Sequence, residues 1–239
     1  MPALLALAVL LGWGLWDLPP IGHGSYRYTR AADRLSARAR TPEAVNFVVF
    51  DLRAVDTMGE EFIFFASVAG VAVLLRRDRR ERERGEGEVE REDPLPPSDP
   101  VRMVGFVFAA AAAIFGIDLV FHGHLTPGGG FQGGAVIAGA GLTVFVSAGH
   151  RRFSSLTPEG VVDMTEAVGA ALYPVIGAVG LILGTAFLAN VFPLGTVGRL
   201  LSAGTIPALD LAVGVEVGSG FLLLTSEFFD QVLYVSPER

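Results

Sequence analysis

Carboxylates and histidines set inside apolar stretches are the residues of this sequence best placed to do chemistry. Glu216 stands well inside the run 208–229, with Gly214, Gly218 and Gly220 around it. At the centre of a bilayer an ionised side chain costs about 3 kcal/mol or more. Such a residue therefore faces protein or water, and marks either an interhelical hydrogen bond or an ion or proton path. Glu227, eleven residues on, returns to nearly the same helical face but lies near the end of the run, where an interfacial charge is at home. Glu166 heads a stripe continued by Gly169, Tyr173, Gly177, Gly180 and Gly184, a small and polar face suited to a close neighbour. Asp118 and His122 are four apart and share a face, and His124 follows in a turn. A histidine–carboxylate pair relays protons near neutral pH, or equally caps the turn. Nearer the start, Asn46, Arg53, Asp56 and Glu60 fall on one helical face, either as an internal ion-pair network or along a water-filled path.

Composition excludes other chemistries. There is no cysteine, so there are no disulfides, thiolate metal sites or cysteine nucleophiles. All 18 basic residues are arginine, which rules out Schiff-base, P-loop and lysine-relay mechanisms in this chain. The four histidines are scattered and do not make a metal site. The net charge of −7, with arginines interleaved among acids, gives no nucleic-acid footprint. No cofactor and no covalent catalysis are expected, so the chain is not read as an enzyme.

The elements that must hold these groups are membrane helices. Of the residues, 51% are apolar and 18% charged, against about a quarter charged in a soluble domain. The apolar residues fall in runs at 2–18, 62–75, 103–121, 131–149, 167–189 and 208–229. Runs of about 18 residues are long enough to cross a hydrocarbon core as helices; the short run 62–75 is extended by the stems of Arg76 and Arg77. In the first run, Trp13, Trp16 and Pro19-Pro20 stand where a signal peptide would need small residues, so a short spanning helix is expected. Residues 22–42 read as an arginine-rich loop. Thr41-Pro42-Glu43 reads as a helix start, with Thr41 as the cap. The expected fold is an all-α integral membrane bundle of about six transmembrane helices, two and then four. Between them, 78–100 alternates Arg with Glu or Asp and ends in prolines, the composition of a solvated linker. Arg76, Arg77, Arg79, Arg80, Arg102, Arg151 and Arg152 flank helix ends on one side, which places the linker and C-terminus in the cytoplasm. Arg27, Arg30, Arg34, Arg38 and Arg40 run against that orientation.

The sharpest local signal is the string from Gly123 to Gly134, HLTPGGGFQGG after its first glycine. Gly128, Gly130 and Gly133 formally satisfy G-x-G-x-x-G, but the string joins two spanning helices and no acid follows at the required distance. The physical reading is a tight turn through Pro127, Gly128, Gly129, Gly130 and Phe131, after which Gly130 and Gly134 allow close helix contact.

That string also resembles the signature of the MnhB family, membrane components of Mrp-type multisubunit sodium/proton antiporters. The stretch Leu194-Gly195-Thr196, Ser202-Ala203-Gly204-Thr205-Ile206-Pro207 and Gly214-Val215-Glu216-Val217 resembles it too, so the likeness covers roughly 101–235. The first block is similar to something else. Asp17-Leu18-Pro19-Pro20-Ile21-Gly22, Ala44-Val45-Asn46 and Asp51 to Glu60 look like the short membrane module at the C-terminal end of the large Mrp antiporter component. In related membrane-bound hydrogenases that module is a small separate chain. The resemblance implies a fusion: 1–77 as that module, 78–100 as a cytoplasmic tether, and 101–239 as a four-helix MnhB-like domain. It implies an accessory component of a sodium/proton antiporter in the inner (plasma) membrane. Its partners would be large antiporter-like subunits, small membrane subunits, lipid, Na+ and H+. Glu216, Glu166, Asp118, His122, His124, Asp56, Glu60 and Arg53 are then candidates beside the ion path. Membership of a hydrogenase-like or complex-I-like respiratory complex, and a purely structural scaffold, are the alternatives. A self-contained transporter is disfavoured because no internal repeat is visible.

Overall fold

The computed structural model describes residues 2–16, 26–75 and 98–233. The stretch 17–22 and nearly all of the expected linker lie outside the described residues. Helices are the only regular structure among the described residues: α1 (Pro2–Trp16), α2 (Arg27–Arg38), α3 (Ala44–Phe47), a π-helical turn (Val48–Leu52), α4 (Ala54–Leu75), α5 (Asp99–His122), α6 (Gly130–Ala148), α7 (His150–Leu156), α8 (Glu159–Ile182) and α9 (Ile206–Leu233). Five of these, α4, α5, α6, α8 and α9, are long and apolar enough to cross a membrane. The shorter α1 is apolar on all sides, and Trp13 and Trp16 are exposed. This is a multi-pass, all-α membrane protein.

Several elements differ from the sequence expectation, each for a local reason. Residues 27–38 form a helix where a loop was expected. Arg27, Arg30, Arg34 and Arg38 recur at three- and four-residue steps and give α2 a solvated face, while Ala32 and Ser36 are buried on the other. The helix start falls two residues later than Thr41: Glu43 is the cap, its carboxylate accepting the Asn46 N–H at 2.5 Å. Thr41 is instead buried, with its hydroxyl donated to the Ala39 carbonyl. The segment 44–61 is not one helix. It widens into a π turn and breaks at Arg53, whose φ of −130° is non-helical, before α4 begins. The run 167–189 leaves the helix at Ile182, and 183–205 forms successive turns in which Gly184, Gly195, Gly198 and Gly204 all have positive φ.

Three helices run in one direction and two in the other. Gly130 meets Asp210 and Val213, Gly134 meets Gly214 and Gly218, and Gly141 meets Leu222, so α6 and α9 are parallel. Phe64 and Val68 of α4 meet Gly220, and Tyr173 of α8 reaches Ala54, so α4 is parallel to α9 and α8 is antiparallel. Against α6, α5 packs antiparallel, with Gly116 beside Gly133 and Gly105 beside Ser147. Glycines on both sides let these backbones approach within van der Waals contact, which is how helices associate in lipid. The α4–α9 contact is different in kind: Phe64, Phe131 and Phe221 form an edge-to-face trio with centroids 5.1–6.2 Å apart.

The largest core cluster joins Phe47, Phe50 and Ala54 to Tyr173, Ile206, Leu209, Val213 and Val217. The segment before the linker therefore buries its apolar residues against α8 and α9, not within itself. A second, smaller cluster of Val68, Val162 and Leu223 continues that contact towards the other end.

Candidate functional site

The starts of α4, α6 and α9 meet at one end of the bundle, where Asp210 of α9 ties α3 to the start of α6. It is fully buried, one turn into α9. Oδ1 accepts the N–H of Gly130, the first residue of α6, at 2.9 Å, and Oδ2 accepts the Asn46 side-chain amide. A carboxylate at the start of α6 satisfies a helix N–H that has no partner of its own and matches the positive end of the helix dipole. The turn before α6 is shaped for this. Gly129 has φ +123°, a region closed to most side chains, and its N–H returns to the Leu119 carbonyl at 3.1 Å. A Cβ at Gly123 or Gly129 would lie 3.0 Å from the Asp210 carboxylate, so the glycines also clear room for it.

Further bonds clasp the first segment to the rest. The Asn190 side chain donates to Asp51 Oδ2 at 3.0 Å and to the Ala203 carbonyl at 3.1 Å, while its own oxygen accepts the Thr205 N–H at 2.8 Å. Tyr173 donates its hydroxyl to the Ala54 carbonyl at 3.0 Å, at the break before α4, and Thr57 donates to Val49 across the π turn. The Arg40 guanidinium donates to the Gly195 carbonyl. These partners satisfy backbone groups that the break and the turns leave without helical ones.

Midway along the helices lies a group of carboxyls. Glu216 is fully buried, and the backbone of Gly169 on α8 packs against it: a Cβ at Gly169 would sit 2.5 Å from Glu216 N and 2.7 Å from its Cα. The Glu216 carboxyl faces that of Glu61 on α4, which is 4% exposed, and Glu166 on α8 lies within electrostatic reach. Neither Glu216 oxygen has a hydrogen-bond partner among the described residues, and Glu61 Oε2 has none either. Two acids from two helices thus face each other, with a third on α8 in electrostatic reach of Glu216, and among the described side chains no arginine approaches Glu61 or Glu216. Two buried carboxyls that face each other with no cation beside them are costly when both are ionised, so Glu61 and Glu216 need a proton or a cation between them.

The sequence candidates separate into distinct places. Glu216 faces Glu61, and Glu166 lies within electrostatic reach of Glu216. Asp118 and His122 pair with each other at 2.9 Å on the surface at the end of α5, with side chains 58% and 35% exposed. His124 is fully buried in the turn. Its Nε2 is 3.3 Å from the Arg199 carbonyl, which makes Nε2 the protonated nitrogen, and Nδ1 has no partner among the described residues. Burial pushes the His124 imidazole below the usual histidine range, against the opposing pull of the Arg199 carbonyl. The face expected for Asn46, Arg53, Asp56 and Glu60 loses Asn46, which the π turn and the break rotate inward, while Arg53, Asp56 and Glu60 stay together. Asn46 is buried on Asp210, whereas Arg53 and Asp56 form an exposed ion pair at 2.6 Å. Glu227, expected at the interface, is buried at 6% exposure. Pro127, Gly128, Gly129, Gly130 and Phe131 form the turn into α6, and among the described residues no group of three or more His, Cys, Asp or Glu is set to hold a metal ion. Sequence reasoning missed Glu61 and Asp210. The pair Glu60-Glu61 carried a signal: neighbours on a helix point about 100° apart, so only one can share the face of a third charge.

Comparison with known proteins agrees with this architecture. Residues 100–223 match the family model described as a domain related to the MnhB subunit of Na+/H+ antiporter. An uncharacterized protein of Methanocaldococcus jannaschii is 29% identical over 228 residues, covering 83% of each chain. A chain of the membrane-bound sulfane sulfur reductase, an archaeal respiratory membrane complex, superposes with a TM-score of 0.75 at 27% identity, over 95% of this chain and 94% of that one. A chain of the Mrp complex from Dietzia sp. superposes with a TM-score of 0.70 at 21% identity; all of this chain is covered, but it spans only 27% of that longer chain. The chain, matched over 100–223, belongs to the family of domains related to the MnhB subunit of Na+/H+ antiporters.

Proposed function

We infer that this chain is an accessory membrane component of a multisubunit monovalent cation (sodium)/proton antiporter. The observation that carries the reading is the buried approach of Glu216, inside the region matched by the MnhB model, to Glu61 of α4 packed on it. A scaffold would have no need of two buried acids set face to face, with both Glu216 oxygens and Glu61 Oε2 lacking a donor among the described residues, an arrangement that costs stability. Glu216 and Glu166 stand beside the ion path; His124 and the turn at Pro127–Phe131 shape its end. Asp118, His122, Arg53, Asp56 and Glu60 are groups available to neighbouring subunits. Residues 101–239 act as the MnhB-like part, 1–77 as a module like the C-terminal end of the large antiporter component, and 78–100 as their tether. The chain sits in the inner (plasma) membrane with tether and C-terminus in the cytoplasm, and works with large antiporter-like and small membrane subunits.

The match over 95% of this chain to a respiratory membrane complex favours a second reading. In it the same chain serves an assembly driven by a redox reaction in other chains. Purification of this chain in mild detergent, with identification of what accompanies it, separates the two. Large antiporter-like subunits without redox proteins support the antiporter; co-purifying iron–sulfur proteins refute it. Sodium/proton exchange in everted vesicles then tests the carboxyls: Glu216→Gln is expected to abolish exchange with the complex intact, and unchanged exchange would reduce this chain to a scaffold.

A further inference from the structure

A polar pit opens beside the clasp at the end of the bundle where α4, α6 and α9 begin. It has a volume of about 450 Å³, room for on the order of ten waters. Its polar lining is Glu43, Asn46, Thr57, Glu60, Glu61 and Gln132, with Phe131 among its apolar walls. Among the described residues no arginine lines it, and a recess of one charge sign between low-dielectric walls concentrates counter-ions. Asp210, just behind the wall, is already committed to Gly130 and Asn46. Glu61 is not: it is only 4% exposed, it lines the pit, and its Oε2 has no partner among the described residues. Glu61 lies seven residues into α4, about 10 Å along the helix, and Glu216 ten residues into α9, about 15 Å along. The pit therefore leads from the end of the bundle to a depth where the carboxyl group begins.

We propose that this pit is a water-filled access site for a partly hydrated monovalent cation, which enters past Glu60 and Gln132 and is held at Glu61 against Glu216. The proposal rests on the reading of the chain as part of an ion-moving complex, and it adds where the ion enters and which acid meets it first. The pit is wide enough for the ion to keep part of its water shell, as suits a site that must also release it.

The native chain has no cysteine, so single cysteines report access cleanly. In the assembled complex in detergent, Gln132→Cys is labelled with a cationic and with an anionic thiosulfonate reagent of similar size, with Val107→Cys on the exposed face of α5 as reference. The cationic reagent is expected to react at Gln132→Cys roughly ten-fold faster than the anionic one, and far faster than at Val107→Cys. Sodium is expected to slow it, and Glu61→Gln to remove that protection. Equal rates for the two reagents, no labelling, or sodium protection that survives Glu61→Gln would overturn the proposal. The charge preference is measured without altering Glu61, so it decides the matter even if Glu61→Gln does not assemble. Labelling does not depend on exchange: a complex that labels as expected but exchanges nothing upholds the pit and sinks the antiporter reading.

Discussion

Asp210→Ala puts the clasp to the test. The substitution removes both acceptors at once and leaves the Gly130 N–H and the Asn46 amide buried without partners. An orphaned buried donor costs about 1–3 kcal/mol, so the pair costs about 2–6 kcal/mol. That corresponds to a factor of roughly 30 to 10⁴ in the equilibrium between clasped and released states, at 1.4 kcal/mol per decade. The assay is direct. A protease site placed within 78–97 is cut in detergent, and the two pieces are separated by size. The cut wild-type chain is expected to hold both pieces together, through the core at Phe47, Phe50, Tyr173 and Leu209 as well as the clasp. Cut Asp210→Ala should release the first piece. Asp210→Asn keeps an acceptor for Gly130 and, if the Asn46 amide turns over, a bond to it as well, so most of the loss should be recovered. If cut Asp210→Ala stays as firmly joined as wild type, the reasoning from buried hydrogen bonds fails.

Other outcomes follow from the same geometry. His124 is held neutral in the fold by burial, so the unfolded chain binds its proton more readily. Stability is then fully present above the ordinary value of 6.5 and falls as the pH drops from 6.5 through the lower folded value. Thermal melting in detergent should show this loss below pH 6.5, and His124→Asn should flatten it; an identical pH dependence in the variant would refute the assignment. Gly169→Val pushes a side chain into the Glu216 backbone and should cost about 1–3 kcal/mol, seen as a lower melting temperature; an unchanged one would mean α8 moves away freely. Tyr173→Phe loses the bond to Ala54 while keeping the ring in the core, and should cost about 1 kcal/mol by the same measurement.

The spanning helices were legible because lipid demands long apolar runs, and five such runs became helices α4, α5, α6, α8 and α9. Their ends were less so. The run 167–189 stays apolar past Ile182, so hydropathy could not show where turns with positive φ at Gly184 and beyond replace the helix. The break at Arg53 was hidden for a different reason: π turns have no composition of their own, and one displaced residue there rotates every later side chain, which undid the face shared by Asn46 and Arg53. Asp210 was overlooked because a lone acid near the start of an apolar run reads as a helix end. What gives it weight is its partner Gly130, eighty residues away in sequence, and only the fold brings the two together.

The break before α4 also sets how that helix can move. Its first residue, Ala54, is pinned by Tyr173, and Thr57 secures the π turn behind it, whereas the rest of α4 lies on α9 through rings and aliphatic side chains and not through paired glycine backbones. A rod fixed at one end and lubricated along its length is a lever. Leu75 stands about 31 Å from the fulcrum at Ala54 and Glu61 about 10 Å from it. The mechanical advantage is about three to one by the same rise per residue: a push of some 3 Å at the far end shifts Glu61 by about 1 Å relative to Glu216.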